Sequence, residues 1–253
     1  MTSTIQLPSL LQNPLQVLRS EGEVDAAVRE SGGLGLCPCH DRPKHWDNYL
    51  AVQAILPEVT KDEPVCDLGC RSGMILPWLY QLGYRRLAGC DMRAPLPPIK
   101  AAIMQNHWST AVSSLRQLAA TRNHLVRARV EDTGFRDSYY SAVTCMSVIE
   151  HGVDIPSFFG EAARILRPGG LLVVSTDYWP TQIDMGSVRR YEQAKANDRI
   201  FDRSGLLELV NAASEHGLRL LAPISEDDLD AREALVHSIG FSYTFAILAF
   251  RRE

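Results

Sequence analysis

Short apolar runs alternate with amphipathic stretches along most of the chain after Pro64. This alternation is typical of β-α units that build a largely parallel sheet. It predicts strands near Val65–Leu68, Arg86–Cys90, Leu125–Val130, Ala142–Met146, Leu171–Ser175, Leu218–Ala222 and Tyr243–Phe250. It predicts helices near Met74–Leu82, Trp108–Ala120, Pro156–Leu166 and Ser204–His216. The last helix has a capping side chain in Asp202 or Ser204 and a terminating residue in Gly217.

The first sixty residues follow a different pattern. Leu7 to Glu30 has the spacing of a helix in pieces, which Pro8 and Pro14 interrupt and Ser31-Gly32-Gly33 ends. A further helix is indicated by the apolar spacing of Trp46, Tyr49, Leu50, Val52, Ile55 and Leu56. We therefore expect an N-terminal helical extension or cap over residues 1–60, followed by one main domain over residues 61–253.

Three connections are longer than a β-α turn requires: Met92 to His107, Asp177 to Arg203, and Pro223 to Gly240. In an open α/β sheet, the loops at the carboxyl ends of the strands line the ligand crevice. The first two connections are therefore predicted to form walls of a substrate site.

Composition narrows the classes of partner. The chain of 253 residues has a formal net charge of −4, and its Arg pairs are scattered, which argues against nucleic acid as the main partner. The N-terminus lacks the pattern of a signal peptide, and no apolar run approaches the roughly 20 residues that a membrane helix needs. We expect a cytoplasmic protein with no membrane partner, and the sequence leaves the oligomeric state open.

The six cysteines do not indicate a disulfide framework. Cys66, Cys70, Cys90 and Cys145 fall in or beside apolar runs, where a free thiol behaves as a small hydrophobic group. Cys37, Cys39 and His40 form the one suggestive cluster, but a one-residue gap is poor spacing for zinc. We predict reduced thiols and no bound metal.

The stretch from Val65 to Ile75 reads as a strand that ends in a glycine turn and opens a helix. Gly69 would let the chain bend sharply, and Gly73 would let a ligand lie against bare backbone. The free N–H groups at a helix start favour an anionic group such as a carboxylate. About twenty residues later, Asp91 closes the second strand, where a carboxylate can accept hydrogen bonds from ribose hydroxyls.

These residues resemble the class I S-adenosylmethionine-dependent methyltransferase family. Asp67-x-Gly69-x-x-x-Gly73 is similar to the first motif of the family, and Asp91 to its ribose-binding acid. The stretch from Asp137 to His151 resembles the region of the fourth strand, and Ala163 to Leu172 resembles the helix, turn and fifth strand. The resemblance implies a doubly wound, Rossmann-like, mostly parallel sheet of seven strands with an antiparallel last strand and helices on both faces.

The resemblance also implies a cofactor, S-adenosyl-L-methionine, with S-adenosyl-L-homocysteine as product. By it, the methionine part would be surrounded by Asp67, Gly69, Cys70 and Gly73. The ribose would be held by Asp91, with Met92 against the adenine, and the adenine edge would be faced by Val130, Glu131 and Asp132. Met146 and Ser147 would offer backbone near the sulfonium.

Two residues depart from the family pattern. Arg71 stands where many members have glycine, so the turn requires that Arg71 can adopt the same backbone angles. Arg129 stands where many members have an acid before the adenine contact, which leaves the adenine partner open.

Candidate residues for the acceptor side follow the fourth and fifth strands. His151 is a candidate general base because its side chain titrates near neutral pH, although a histidine there can also simply pack or cap a helix. Asp177, Tyr178 and Trp179 can contact the acceptor, or they can belong to a surface loop with a buried ring. The expected acceptor is a small molecule, for example a sugar or a natural-product intermediate, with RNA or protein as alternatives.

Other functions share parts of this pattern. A nicotinamide-dependent oxidoreductase has the same strand, glycine turn, helix and acid, and Tyr191 and Lys195 match the Tyr-x-x-x-Lys spacing of short-chain dehydrogenases. However, Met74 and Ile75 follow Gly73, where a dinucleotide-binding turn needs a further glycine. A non-catalytic scaffold that keeps the fold and the cofactor, and an aminopropyl-type transfer, are further alternatives.

Overall fold

Nine strands form a single sheet within residues 5–39, 41–93, 125–184, 198–238 and 241–253, which the computed structural model describes. The strands are β1 (Leu15–Val17), β2 (Val65–Leu68), β3 (Leu87–Asp91), β4 (Leu125–Arg127), β5 (Tyr140–Met146), β6 (Leu166–Tyr178), β7 (Leu218–Leu220), β8 (Val236–Ser238) and β9 (Phe241–Arg252). The predicted helix near Trp108–Ala120 lies outside these residues.

The strand order is β1-β9-β6-β5-β2-β3-β4, and both β7 and β8 also pair with β9. From β4 to β6 all neighbours are parallel, whereas β9 is antiparallel to each of its partners. The order reverses at β2, since the chain moves from there to β3 on one side and to β5 on the other. This is the switch point at which doubly wound sheets bind ligands, and the predicted fold class is confirmed.

Five helices cover the two faces of the sheet in the part of the chain that the structure describes: α1 (Glu21–Gly33), α2 (Lys44–Ile55), α3 (Ile75–Gln81), α4 (Ile155–Ile165) and α5 (Arg203–Glu215). Side chains alternate between the faces with the period of two that strands impose. Thus Val65 packs in the core with α1, α2 and α3, and Cys66 packs in the core with α4 and α5.

Two short strands were not predicted. Leu15–Val17 falls within the region expected to be helical in pieces, but it is strand β1 and pairs with residues 246–248 of β9. The helix begins only at Glu21. Strand β8 likewise adds a three-residue pairing to β9. Strand β1 lies within a stretch of helical spacing, and its pairing partner is more than two hundred residues away, so no local pattern marks it as a strand.

The predicted ends of α5 are confirmed. The Gly205 N–H donates to the Asp202 carboxylate at 2.8 Å, so Asp202 caps the first turn. Gly217 follows the helix with a φ of +71°, the left-handed conformation that glycine adopts without strain.

All six cysteines carry free thiols. Burial raises the pKa of the Cys66 and Cys145 thiols and brings that of Cys90 to about 12, so these groups stay protonated. Among the described residues, which omit His40, no three His, Cys, Asp or Glu side chains are grouped to hold a metal. In the same residues, no helix is both long and apolar enough to cross a bilayer.

A buried histidine connects α1 to α2. The His45 Nε2 lies 2.5 Å from the Ser31 hydroxyl, and the Cys39 N–H donates to Nδ1 at 3.2 Å. Because Nδ1 accepts, the ring is neutral with its proton on Nε2. Its ring is tilted against the Trp78 ring, with centroids 5.0 Å apart. Burial, and to a smaller extent the charge of Arg42, lowers the pKa of His45 to about 4.

We predict that His45 lowers the stability of the fold on acidification, at pH values above those at which ordinary, exposed carboxylates titrate. The pKa of His45 is lower in the folded than in the unfolded chain, so the unfolded chain takes up the proton first as pH falls below about 6.5. Between about pH 6.5 and about pH 4, this residue should lower the free energy of unfolding by about 3 kcal/mol.

The measurement is chemical denaturation of the native chain and of His45→Gln across this pH range. Glutamine keeps a donor and an acceptor but does not titrate, so the variant should lose less stability on acidification. Parallel pH profiles for the two proteins would contradict the assignment.

Candidate active site

The glycine turn at the end of β2 has the predicted backbone. Gly69 has a φ of +79°, and a 3-10 turn over Cys70–Ser72 leads through Gly73 into α3. A Cβ at Gly69 would overlap Val148 Cγ2, so this position has no room for a side chain. The Gly69 N–H donates to the Cys90 carbonyl at 2.8 Å, which fixes the turn against the end of β3.

Asp67 lies beneath this turn with its carboxylate out of water. It is 3% exposed and accepts a hydrogen bond from Thr144 Oγ1 on β5 at 2.7 Å. A Cβ at Gly73 would lie 3.3 Å from Asp67 Oδ2. Burial raises the pKa of Asp67 to about 7, the Thr144 hydroxyl opposes that shift, and the negative charge of Asp91 adds to it.

Arg71, the departure from the family pattern, lies within the turn and does not disturb its backbone. Its Nη1 is buried and has no hydrogen-bond partner. Leaving a buried guanidinium N–H without an acceptor costs free energy, so Nη1 is available to an anionic or carbonyl group.

Asp91 ends β3 beside the turn. Its Oδ1 accepts a hydrogen bond from the Arg93 N–H at 2.8 Å. Asp67 pairs with Gly89 in the parallel register of β2 and β3, so Asp91 lies two residues further along the neighbouring strand. Met92 follows with 60% of its surface exposed. Cys70 contributes differently, because a Cβ added at Gly89 would lie 2.6 Å from its sulfur, which therefore packs against β3.

The residues predicted to face the adenine differ in their surroundings. Val130 is buried and Asp132 is exposed. Glu131 Oε1 accepts from Arg129 Nη2 at 2.6 Å and from the Asp154 N–H at 3.3 Å. Arg129, the second departure, is therefore paired with one of the two oxygens of Glu131.

Met146 and Ser147 end β5 next to β2. Ser147 has a φ of +54°, which is strained for a residue other than glycine and is most common at functional sites. Its N–H donates to the Ser175 carbonyl at 3.1 Å, and its hydroxyl accepts a hydrogen bond from the Lys44 ammonium.

A polar cluster continues from Ser147 along β6 and consists of Lys44, Asp47, Ser175 and Asp177. Lys44 Nζ lies 3.7 Å from Asp47, 3.8 Å from Asp177 and 3.2 Å from the centre of the Phe245 ring. Asp47 is fully buried and accepts from the Ser175 hydroxyl at 2.7 Å. Asp177 keeps 18% of its side chain exposed.

The remaining predicted acceptor residues lie apart from this cluster to different degrees. His151 is half exposed, and its Nδ1 is 3.1 Å from Asp198. Tyr178 is fully buried within β6, and its hydroxyl donates to the Leu229 carbonyl at 2.6 Å. Trp179 is half-buried, and its backbone N–H donates to the Phe201 carbonyl. His40, Tyr191, Lys195 and most of the two predicted walls lie outside the described residues.

The structure thus brings Asp67, Asp91, Ser147 and Asp177 to the carboxyl ends of four adjacent strands. Lys44 and Asp47 were not among the predicted site residues. The signal for Asp47 was present, since it interrupts the apolar pattern of α2. No pattern in the sequence predicts that α2 packs against β6 and β9.

A doubly wound sheet with a glycine turn and paired acids at its switch point defines a nucleotide-type cofactor domain. A family model described as a methyltransferase domain matches residues 40–222, well over half of the chain. The chain belongs to this methyltransferase family, which separates it from the nicotinamide-dependent dehydrogenases.

Curated relatives match a smaller part of the chain. A ubiquinone biosynthesis O-methyltransferase of Bradyrhizobium sp. (strain ORS 278) is 30% identical over 110 residues, which are 44% of this chain and 38% of that protein. The enzyme of the same name from Xanthomonas oryzae pv. oryzae (strain PXO99A) is 32% identical over 117 residues, 44% of this chain and 42% of that protein. The match thus spans less than half of these relatives.

The fold is similar to solved structures over nearly the whole chain. A geranyl diphosphate methyltransferase in complex with S-adenosylmethionine has a TM-score of 0.57 and 18% identity, and the match covers 92% of each chain. At this identity the similarity establishes the fold alone.

We predict that Gly69→Ala lowers the free energy of unfolding by about 2–4 kcal/mol, because it adds a left-handed alanine and a clash with Val148. Gly83→Ala is the matched control: its φ is +99°, but no atom lies within 4 Å of the added Cβ. That control should cost about 1–2 kcal/mol.

Urea denaturation of both variants measures the difference. Adding Val148→Ala to Gly69→Ala should recover part of the loss, because it removes the methyl group that clashes. Equal losses for the two single variants would show that Gly69 is not tightly packed.

Proposed function

We propose that this chain is an S-adenosylmethionine-dependent methyltransferase that acts on a small-molecule acceptor. The observation that carries this proposal is the convergence of the Asp67 carboxylate, the Gly69 to Gly73 turn and the Asp91 carboxylate at adjacent strand ends. Family membership agrees with it. A cytoplasmic location is part of the same proposal.

The residues at the turn fit the methionine part of this cofactor. The cofactor carries both an ammonium and a carboxylate there. Asp67 is a buried carboxylate whose described partner is one hydroxyl, so it suits the ammonium. Arg71 has a buried donor without an acceptor, so it suits the carboxylate, together with the free N–H groups of the turn.

The residues at the end of β3 fit the nucleoside part. Asp91 would accept hydrogen bonds from the ribose hydroxyls, and Met92 would give its exposed side chain to the adenine face. Because one oxygen of Glu131 already accepts from Arg129, the adenine amino group would donate to Asp132 or to a backbone carbonyl. Met146 and the strained Ser147 would border the sulfonium.

When bound, the cofactor supplies a methyl group on a positively charged sulfur that leaves as a neutral thioether. The chain then has to align the acceptor with the methyl group and to exclude water. Holding two reactants in line can supply roughly 7–11 kcal/mol of barrier reduction. His151 with Asp198, and Asp177 with Trp179, remain proposed contacts on the acceptor side.

The proposed acceptor is a small molecule, such as a sugar or a natural-product intermediate. The relatives from Bradyrhizobium and Xanthomonas are named for a small-molecule acceptor pathway, which supports this class over RNA or protein. Extracts incubated with radiolabelled cofactor, followed by mass spectrometry of the product, would identify it. Label recovered in RNA or protein alone would overturn the small-molecule proposal.

Titration calorimetry with S-adenosylmethionine, S-adenosylhomocysteine and the nicotinamide cofactors tests the cofactor itself. We expect binding of the first two only. Binding of a nicotinamide cofactor alone would overturn the proposal, and cofactor binding without methyl transfer to any extract component would favour a scaffold protein.

We predict that Asp91→Ala weakens S-adenosylmethionine binding by about 1.5–3 kcal/mol, the range for hydrogen bonds that involve a charged group. Asp62→Ala removes the same charge from an exposed position and should leave the affinity unchanged. Calorimetry on both variants makes the comparison, and an unchanged dissociation constant for Asp91→Ala would refute the ribose role.

We also predict that cofactor affinity depends on the ionisation of Asp67. The pKa of Asp67 is about 7 in the free chain, and a bound ammonium would lower it, so binding below that pH releases a proton. The affinity should therefore rise from about pH 5.5 to about pH 7, by up to roughly tenfold per pH unit. Calorimetry in buffers of different ionisation enthalpy counts the released protons.

Asp67→Asn is the control for this linkage, because asparagine keeps the shape and does not titrate. The variant should bind more weakly, and its affinity should not change over the same pH range. Proton release that persists in Asp67→Asn would assign the linkage to another group.

A further inference from the structure

The Lys44 ammonium has a hydrogen-bond donor that the described part of the chain does not use. Its one hydrogen bond there goes to the Ser147 hydroxyl, and the Phe245 ring covers a second side. The oxygens of Asp47 and Asp177 lie 3.7 Å and 3.8 Å from Nζ, which is beyond hydrogen-bond distance. Because an ammonium has three N–H donors, one is left for a ligand.

Asp177 provides a carboxylate next to this ammonium. It pairs directly with Phe245 across β6 and β9, and directly paired residues have their side chains on the same face of the sheet. The Lys44 ammonium lies over that same Phe245 ring. The side chains of Lys44 and Asp177 are 21% and 18% exposed, whereas that of Asp47 is fully buried. Lys44 and Asp177 are therefore the two charged residues of the polar cluster that a ligand can reach.

We propose that Lys44 and Asp177 bind a hydroxyl group of the methyl acceptor between them, so that the methyl group is transferred to oxygen. This inference rests on the proposed function and names the acceptor atom. One oxygen atom can lie within hydrogen-bond distance of two atoms that are 3.8 Å apart. The hydroxyl oxygen would accept from the ammonium, and its O–H would donate to the carboxylate.

This pair lies next to the strand ends proposed to bind the methyl donor. Ser147, which accepts from Lys44, directly follows β5, and β5 is the parallel neighbour of β2. Val148, the next residue, packs against Gly69 in the turn that ends β2. A hydroxyl bound to Lys44 is thus connected through one side chain to Ser147, the residue proposed to border the sulfonium.

The charges at this place favour a neutral hydroxyl over the other common acceptor groups. A protonated amine would bring a second ammonium against that of Lys44, and a carboxylate would face those of Asp47 and Asp177. A hydroxyl carries no charge and is both a donor and an acceptor, so it satisfies Lys44 and Asp177 together.

The same two residues would support the proton transfer that methylation of oxygen requires. As a lone pair of the oxygen forms the bond to the methyl carbon, the C–S bond breaks and its electrons stay on sulfur. The O–H bond also breaks, its electrons stay on oxygen, and the proton passes to the Asp177 carboxylate. Lys44 stabilises the negative charge that develops on the oxygen. Burial raises the pKa of Asp177, although Lys44 opposes the shift, and a raised pKa makes the carboxylate a stronger base.

Three probes of similar size test the preference for a hydroxyl: benzyl alcohol, benzyl methyl ether and benzylamine. Each is titrated by ligand-observed NMR into the full chain saturated with S-adenosylhomocysteine, which prevents the amine from binding at Asp67. We expect the alcohol to bind about tenfold more tightly than the ether, which cannot donate to Asp177, and than the amine. Equal or tighter binding of the ether or the amine would overturn the proposal, and so would failure of the alcohol to bind.

Lys44→Met tests the donor, because methionine removes the ammonium and keeps an unbranched side chain. This variant should weaken alcohol binding about tenfold. Lys61→Met is the matched control, since Lys61 Nζ also lies over an aromatic ring, 4.0 Å from the centre of Tyr84, and it should leave the affinity unchanged. Thermal unfolding shows that both variants are folded. An unchanged alcohol affinity in folded Lys44→Met would overturn the proposal.

Asp177→Asn tests the base and serves also if Lys44→Met does not fold. Asparagine keeps an oxygen that accepts from the hydroxyl but cannot take its proton. Alcohol affinity should therefore change little, whereas the rate of label transfer to the acceptor found in extracts should fall about 100-fold or more. Asp62→Asn, at an exposed position, should change neither. An unchanged transfer rate in Asp177→Asn would refute its role as the base.

The product shows which atom receives the methyl group. When the extract is incubated with cofactor that carries an isotopically labelled methyl group, the NMR chemical shift of the methyl carbon distinguishes oxygen from nitrogen and carbon. We expect an O-methyl product, and an N-methyl or C-methyl product would overturn the proposal. Failure of S-adenosylhomocysteine to bind would contradict the proposed function instead, and titrating the alcohol and the ether without it would still test Lys44 and Asp177.

Discussion

Several carboxylates are buried near the carboxyl ends of the parallel strands. The need to compensate these buried charges is the constraint on which this structure depends. Each buried carboxylate needs donors, a counter-charge or a proton. Asp47 has several partners, among them the Ser175 hydroxyl at 2.7 Å and Lys44 at 3.7 Å. Asp67 has the Thr144 hydroxyl at 2.7 Å, and Glu150 has one contact at 3.4 Å. The pairing is therefore strongest for Asp47 and weakest for Glu150, whose one contact is also the longest.

The pKa directions agree with this order. Burial brings the pKa of Asp67 to about 7 and that of Glu150 to about 8, so the carboxyl with the longer contact is the more easily protonated one. Asp47 instead holds Lys44 and Ser175 in place and so supports the end of β6. A buried carboxylate that is fully paired serves the fold, whereas one that is partly paired is available for binding.

The sequence predicted the parts of this site that are local in the chain. The glycine turn, Asp67 and Asp91 lie within one β-α-β unit, and their approach follows from the parallel pairing of β2 with β3. The longer strands and the capped helix α5 were also predictable, because their periods and end signals extend over enough residues. The structure contains all seven expected strands and adds only β1 and β8, whose pairings with β9 involve three residues each.

The polar cluster could not be predicted in the same way. Lys44 and Asp177 are far apart in sequence, and their approach depends on how α2 packs across β5, β6 and β9. Tyr178 shows the same limit, since the length of β6 places its ring in the core and its hydroxyl against Leu229. Period and spacing describe single elements, whereas these contacts depend on the packing of several.

The two halves of the site therefore have different origins in the chain. The half proposed to bind the cofactor is built from one continuous turn and the ends of β2 and β3. The half proposed to bind the acceptor combines α2, the end of β5, β6 and the last strand, which meet only in the folded chain. Changes in α2 or β6 can alter charge at Lys44, Asp47 or Asp177 without moving the Gly69 turn, because that turn is fixed by Cys90 and Val148. Such an arrangement allows one fold to keep its methyl donor while its acceptor changes.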